Sequence, residues 1–217
     1  MNKALALLAV AGIASGAQAA VVINEVLGST TGSDDEFIEL YNTGGSAVDI
    51  SGWFIELWDS DAGAAFGTAD GGSPYTIPAA TSLAAGGYYL MANSVFSTHY
   101  SEIPDQVIQD NAIENSSYTM ILKDAGSATI NSFFMTDGGV GDAANDAGTL
   151  ITPDIQFGPD GTFLPAGMYR VGDGNSTLAI LEFSPQPAPS ATPGYANIPA
   201  PGALALLGIA GIARRRR

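Results

Sequence analysis

The chain has 217 residues, with 22 acidic and seven basic side chains and no cysteine. The absence of thiols excludes a disulfide scaffold, thiol catalysis and cysteine metal sites, so stability has to come from a buried core. Between the two terminal segments only Lys123 and Arg170 are basic against all 22 acidic residues, a net charge of −20, and such a body repels nucleic acid, whose binding needs several Lys or Arg against phosphates.

In chain order, the first residues read MNKALALLAVAGIASGAQAA. Lys3 supplies a positive start, Ala4 to Ala14 an apolar stretch, and Ala17-Gln18-Ala19 a small-x-small cleavage site. That is the layout of a secretory signal peptide, so residues 1–19 are set apart from the fold and export is expected.

Short β-rich runs come next, separated by Gly, Ser, Asn and Asp. They are Val21 to Val26, Phe37 to Asn42, Val48 to Ile50, Phe54 to Leu57, Tyr75 to Ile77 and Tyr88 to Met91. Ser117 to Lys123, Thr129 to Phe134, Met168 to Val171 and Leu178 to Phe183 complete them. Many short strands between turn signals predict an antiparallel sandwich or barrel. No window carries a long helical period, and Ser94 to Tyr100 is expected to make at most two turns of helix, capped by Ser94. The period-2 pattern predicts a core that includes Ile23, Ile38, Leu40, Ile50, Trp53, Leu90, Ile121 and Phe183.

Residues 23 to 57 carry a resemblance. Asn24-Glu25 near the first strand is followed by EFIELYN at Glu36 to Asn42, then by VDISGW at Val48 to Trp53. This resembles the opening of a lamin-tail domain, the immunoglobulin-like module of nuclear lamins and of many exported bacterial proteins. The likeness continues through YTIPAATSLAAGGYYLMAN and SSYTMILKDAGSATINSF and ends in ATPGYAN, residues 191 to 197. The fold it implies is an immunoglobulin-like antiparallel β-sandwich over residues 20–197, with an acidic Gly/Asp-rich insertion near 135–167. It implies no catalytic residue.

In that signature Ser51-Gly52 makes a tight corner, with Gly free to take a positive φ, and Trp53 is expected to plug one end of the core. Asn24, Glu25, Glu36 and Glu39 can be read as a carboxylate cluster for metal or acid–base chemistry. The structural reading is favoured: Glu39 and Asn42 tie down loop backbone, and Glu36 faces water. The single histidine, His99, is expected at the surface of a short helix, since no G-x-S-x-G elbow accompanies it. One histidine without cysteine is too little for a zinc site, and no P-loop or G-x-G-x-x-G fingerprint after a strand is present. Trp58 and Tyr88-Tyr89 are weighed as a sugar-stacking face and read instead as packing.

Residues 135 to 161 hold Asp137, Asp142, Asp146, Asp154 and Asp160 among glycines, with no basic residue. Calcium takes six to eight oxygen ligands on flexible loops, and the spacing is not that of an EF-hand. A solvated acidic loop and a calcium site are both open, and Asp137, Asp142 and Asp146 are the candidate ligands of one weak Ca2+ site.

The chain ends IPAPGALALLGIAGIARRRR. As a helix, Gly202 to Ala213 would be roughly 18 Å long, short for a bilayer core of about 30 Å. Pro199-Ala200-Pro201, the apolar stretch and Arg214 to Arg217 resemble the PEP-CTERM sorting signal of certain Gram-negative bacteria, which an exosortase recognises. The arginines suit the cytoplasmic side of a transient membrane contact. The expectations are therefore an exported, non-catalytic binding or adhesion module of the cell surface or extracellular matrix. Its expected partners are an exosortase-like enzyme and extracellular polysaccharide or surface proteins. The alternative is an extracellular metal-dependent hydrolase, a nuclease or glycosidase.

Overall fold

Fifteen strands are seen in a computed structural model that describes residues 20–28, 35–62, 73–114, 116–158, 166–182 and 191–197. In chain order they are β1 (Val21–Leu27), β2 (Phe37–Asn42), β3 (Val48–Asp49), β4 (Phe54–Asp59), β5 (Tyr75–Thr76), β6 (Ser82–Leu83), β7 (Tyr88–Ala92) and β8 (Gln106–Val107). Then come β9 (Tyr118–Lys123), β10 (Thr129–Thr136), β11 (Ala144–Asp146), β12 (Thr149–Ile151), β13 (Ile155–Gln156), β14 (Ala166–Arg170) and β15 (Leu178–Glu182). The expected leader at 1–19, the sorting segment at 198–217 and the expected core residue Phe183 lie outside the described residues.

Two sheets form the sandwich. One has the order β15-β14-β1-β2-β7-β8, the other β13-β10-β9-β4-β5, and the pairs β3-β6 and β11-β12 stand apart from both. The ladders are antiparallel except at two edges, where β8 runs parallel to β7 and β13 parallel to β10. These edge strands are two residues long and follow loops rather than hairpins, which is why no periodicity marked them.

Alternation decides what each sheet buries, because successive side chains of a strand point to opposite faces. Inward lie Val21, Ile23 and Val26 of β1, Ile38 and Leu40 of β2, and Tyr89 and Met91 of β7. They meet Ile55 and Leu57 of β4, Met120 and Leu122 of β9, and Phe133 and Met135 of β10. The outer face of the six-stranded sheet is also apolar in part. Leu27, Phe37, Leu90, Ala92, Phe96 and Leu181 make a second cluster, so Leu90 is buried as expected but in this outer layer. Ile121 is fully buried on the face of β9 opposite Met120 and Leu122, where β11 lies against that strand.

The helix expected over Ser94 to Tyr100 is one 3-10 turn, Phe96–Thr98. The side chain that takes the Phe96 N–H is that of Asn93, at 3.1 Å, rather than Ser94. Phe96 and Tyr100 stack at 4.6 Å between ring centroids and drop onto Phe37. The turn exists to place these rings over the sheet.

Two details of the first sheet set the geometry of its polar face. The β1–β2 register shifts between Ile23 and Glu25, so Asn24 is an extra residue and Glu25 stands opposite Glu39. On β14, a Cβ at Gly167 would sit 2.1 Å from the Val26 carbonyl oxygen, so the strands can approach there only because the residue is glycine.

Arg170 ties the two sheets. Its Nε donates to the Ile23 carbonyl at 2.7 Å, Nη1 to the Asn175 carbonyl at 2.7 Å, and Nη2 to Oδ1 of Asn131 at 3.3 Å. The same Asn131 oxygen accepts the Ile23 N–H at 2.9 Å, which links β1, β10 and β14. Arg170 is 7 % exposed, and burial holds its guanidinium below the usual value.

Candidate functional site

The carboxylates of the sequence signature are turned inward. Glu39 is fully buried; its Oε1 accepts from Asn24 Nδ2 at 2.9 Å and its Oε2 from the Gly194 N–H at 2.5 Å. Asn42 donates to the carbonyls of Ser46, Leu83 and Ala84 at 2.9 to 3.0 Å, fixing two loops at once. Both act as backbone anchors, as expected. Glu36 corrects the expectation that it faces water. It is fully buried and accepts the N–H groups of Ala112 and Ile113 at 2.8 and 2.9 Å. The segment 108–114 carries no strand there, so its amides need an acceptor from elsewhere.

Glu25, Glu39 and Asp173 form a polar layer on the outer face of the first sheet. Glu25 accepts the N–H of Thr192 at 3.0 Å and its hydroxyl at 3.2 Å. Asp173, between two glycines in the turn after β14, accepts from Asn24 Nδ2, the Asn197 N–H and the Tyr88 hydroxyl at 3.0, 3.0 and 2.7 Å. Burial, the larger effect, pushes Glu25 up to about 7 and Glu39 up to about 8 against the lowering action of these donors. These groups hold the chain's segment 191–197 in place.

A second acidic group lies at the end of the second sheet. Oxygens of Asp61, Asp137 and Asp142 all come within 4.8 Å of one another. Asp61 stands just past β4, and the other two in the loop after β10, where Gly138 and Gly141 take φ of +96° and +103° and turn the chain back. Ser117 sits between them. Its Oγ donates to Asp142 Oδ2 at 2.6 Å, its N–H donates to Asp61 Oδ1 at 3.2 Å, and its Oγ accepts the Asp137 N–H at 3.0 Å. Burial raises Asp142, but donors from Ser117, Thr136, Ala62 and Gly139 outweigh it and hold the carboxyl below its usual value. Hydroxyls and amides ordering carboxylates is also how a hard cation's ligands are held.

Of the three aspartates expected to act together, Asp137 and Asp142 meet and Asp146 does not join them. Asp146, on β11, pairs with Lys123 at 3.2 Å and takes a hydrogen bond from the Thr129 hydroxyl. Lys123 also pairs with Glu56 at 2.9 Å. The third member is Asp61, 76 positions before Asp137 in the chain. Its only local signal is the Asp59-Ser60-Asp61 run closing β4.

His99 ends the 3-10 turn and is partly exposed, with Nδ1 2.8 Å from Oδ1 of buried Asp35. The aromatic residues do not share a face. Tyr89 is in the core, Tyr88 packs beside Tyr41 at 5.1 Å on the outer face of the first sheet, and Trp58 belongs to β4 in the other sheet.

The sequence model of the lamin tail domain matches residues 14–152, more than half of the chain. The chain belongs to the lamin tail domain family. The fold accords with it: a lamin tail domain is an immunoglobulin-like sandwich, and the paired sheets with Gly52 at φ +72° before Trp53 are the described form of its VDISGW corner. The match stops just after β12, so the aspartate group of Asp61, Asp137 and Asp142 lies inside it while Asp173 and the 191–197 segment lie beyond. No curated protein matches the chain. Among the described residues no helix is long and apolar enough to cross a membrane.

Proposed function

We propose that this lamin tail domain is an exported, non-catalytic binding module of the cell surface or extracellular matrix. The observation that carries the reading is the use of the signature's polar residues. Glu25, Glu36 and Glu39 all accept backbone N–H groups, so the carboxylates that resemble a catalytic cluster serve the scaffold. The partners that fit a body with a net charge of −20 are uncharged or cation-bridged polysaccharide and surface proteins. Pull-down on a panel of extracellular polysaccharides tests this, and retention on none of them with or without calcium would remove it.

The two ends of the sequence support export and sorting. The mature chain is expected to begin near Ala20 and to lack Arg214 to Arg217, with an exosortase-like enzyme cutting close to Pro199 to Gly202. Intact mass of protein from the native host decides it; recovery of the arginine tail outside the cell would overturn this part.

The calcium proposal takes an altered ligand set, Asp61, Asp137 and Asp142, supported by their approach to within 4.8 Å. The same group is what a metal-dependent hydrolase would use. Incubation with nucleic acids and polysaccharides in magnesium, manganese and calcium separates the two readings: turnover that disappears in Asp142→Asn favours the hydrolase.

A further inference from the structure

Residues 191–197 belong to neither sheet, yet three of their backbone N–H groups end on carboxylates of three different elements. Thr192 donates to Glu25 of β1, Gly194 to Glu39 of β2, and Asn197 to Asp173 in the turn after β14. The bulge at Asn24 sets Glu25 and Glu39 face to face across β1 and β2. Like charges directly opposite on paired strands are destabilising, and buried charge is costly unless compensated. Among the described residues no cationic side chain compensates these two. The other titratable groups facing this layer are Asp173, Tyr88, Tyr41, Tyr169 directly opposite Glu25 on β14 and, beside Gly194, Glu102. Arg170 points to the opposite face of the sheet, toward Asn131. The segment itself brings no charge.

We infer that residues 191–197 are a proton-dependent latch, closed while Glu25 and Glu39 hold protons and loosened as they ionise. With the segment docked, burial outweighs the N–H donors and favours the carboxylic acids. When the segment lifts, both groups regain water, their protons pass to solvent, and their ordinary acidity returns. Opening thus releases protons, and by linkage it is favoured as pH rises. The inference rests on the facing, buried and uncompensated carboxylates together with the effect of that burial on their acidity, and is independent of what the domain binds.

Amide hydrogen exchange on the full chain tests it, with rates corrected for the intrinsic pH dependence of exchange. Protection of Thr192, Gly194 and Asn197 is expected to fall about tenfold or more between pH 6 and pH 9, tenfold being one pKa unit of differential proton binding. Leu40, in the central strand, serves as the reference and should not follow. In Glu25→Gln/Glu39→Gln the decline should vanish. A fall of less than threefold in the wild type, or the same decline in the double variant, overturns the latch. Since glutamine replaces an acceptor oxygen with a donor and can weaken docking by itself, carbon-13 titration of the wild-type carboxyls gives a second measurement. A midpoint above pH 6 for Glu25 or Glu39 supports the inference, and two midpoints near the ordinary value of about 4.3 overturn it.

Discussion

Glu36 and Ile113 are 77 positions apart, and the carboxylate of the first receives the N–H of the second at 2.9 Å. With the Ala112 N–H on its other oxygen, Glu36 closes the segment 108–114 onto the start of β2. Glu36→Ala leaves two buried donors without an acceptor, each costing about 1–3 kcal/mol. The expected loss is about 2–5 kcal/mol in urea denaturation, with Glu36→Gln less affected because its amide oxygen still serves one donor. A loss below about 1 kcal/mol in Glu36→Ala would contradict this role.

Trp53 packs on the main core while remaining partly exposed, with its backbone pinned by Ile50 and Ile77. Full burial would make Trp53→Ala cost about 3–5 kcal/mol. The partial exposure lowers the expectation to about 2–3 kcal/mol, with no change of fold by circular dichroism. A cost under about 1 kcal/mol would mean that the indole contributes no packing.

Stability should peak in weak acid. Glu25 and Glu39 have folded values near 7 and 8 against 4.5 unfolded. Groups raised in this way add stability that is fully present below pH 4.5 and lost as pH climbs through their folded values. Asp142 is lowered, so its contribution is present above 3.8 and lost on acidification through its folded value. Unfolding free energy is therefore expected to fall by at least about 1.4 kcal/mol, the equivalent of one pKa unit, between pH 5.5 and pH 9. Stability that rises over that range would refute the assignment of Glu25 and Glu39.

For the cation, melting in millimolar calcium is expected several degrees above melting in chelator, with sodium at matched ionic strength giving no such shift. A ligand at a hundred times its Kd adds about 2.7 kcal/mol. Asp61→Asn and Asp142→Asn should abolish the shift, whereas Asp146→Asn, which disturbs the Lys123 pair, should keep it. Equal melting temperatures in calcium and sodium would reduce the group to screened surface charge.

The sandwich was legible because β1, β2, β4, β7, β9 and β10 are runs of five residues or more rich in β-branched, aromatic and aliphatic side chains between turn residues, and the EFIELYN and VDISGW runs are local. The structural roles of Glu39 and Asn42 followed from that signature. The burial of Glu36 did not, since its partners come from a segment of no pattern 76 positions later. Nearness in sequence groups Asp146 with Asp137 and Asp142, but β11 carries it to Lys123 on β9. Asp61 and Asp173 arrive from distant turns, and nothing in a one-dimensional pattern reports which turns meet. The outer cover on the first sheet was hidden for another reason: Phe96, Tyr100 and residues 191–197 bury apolar and polar surface without any strand or helix periodicity.

Lys123 and Arg170 stand alone as basic residues between positions 4 and 213, and each is held inside the body, the Lys123 side chain 12 % and Arg170 7 % exposed. A protease of trypsin-like preference needs such a side chain swung out into its specificity pocket on an extended backbone. Neither can be offered without breaking the pair of Lys123 on β9 with Glu56 on β4 or withdrawing the Arg170 guanidinium from between the sheets. The folded domain therefore presents that whole class of enzyme with no place to cut, and lysine-directed cross-linkers meet the same closed surface.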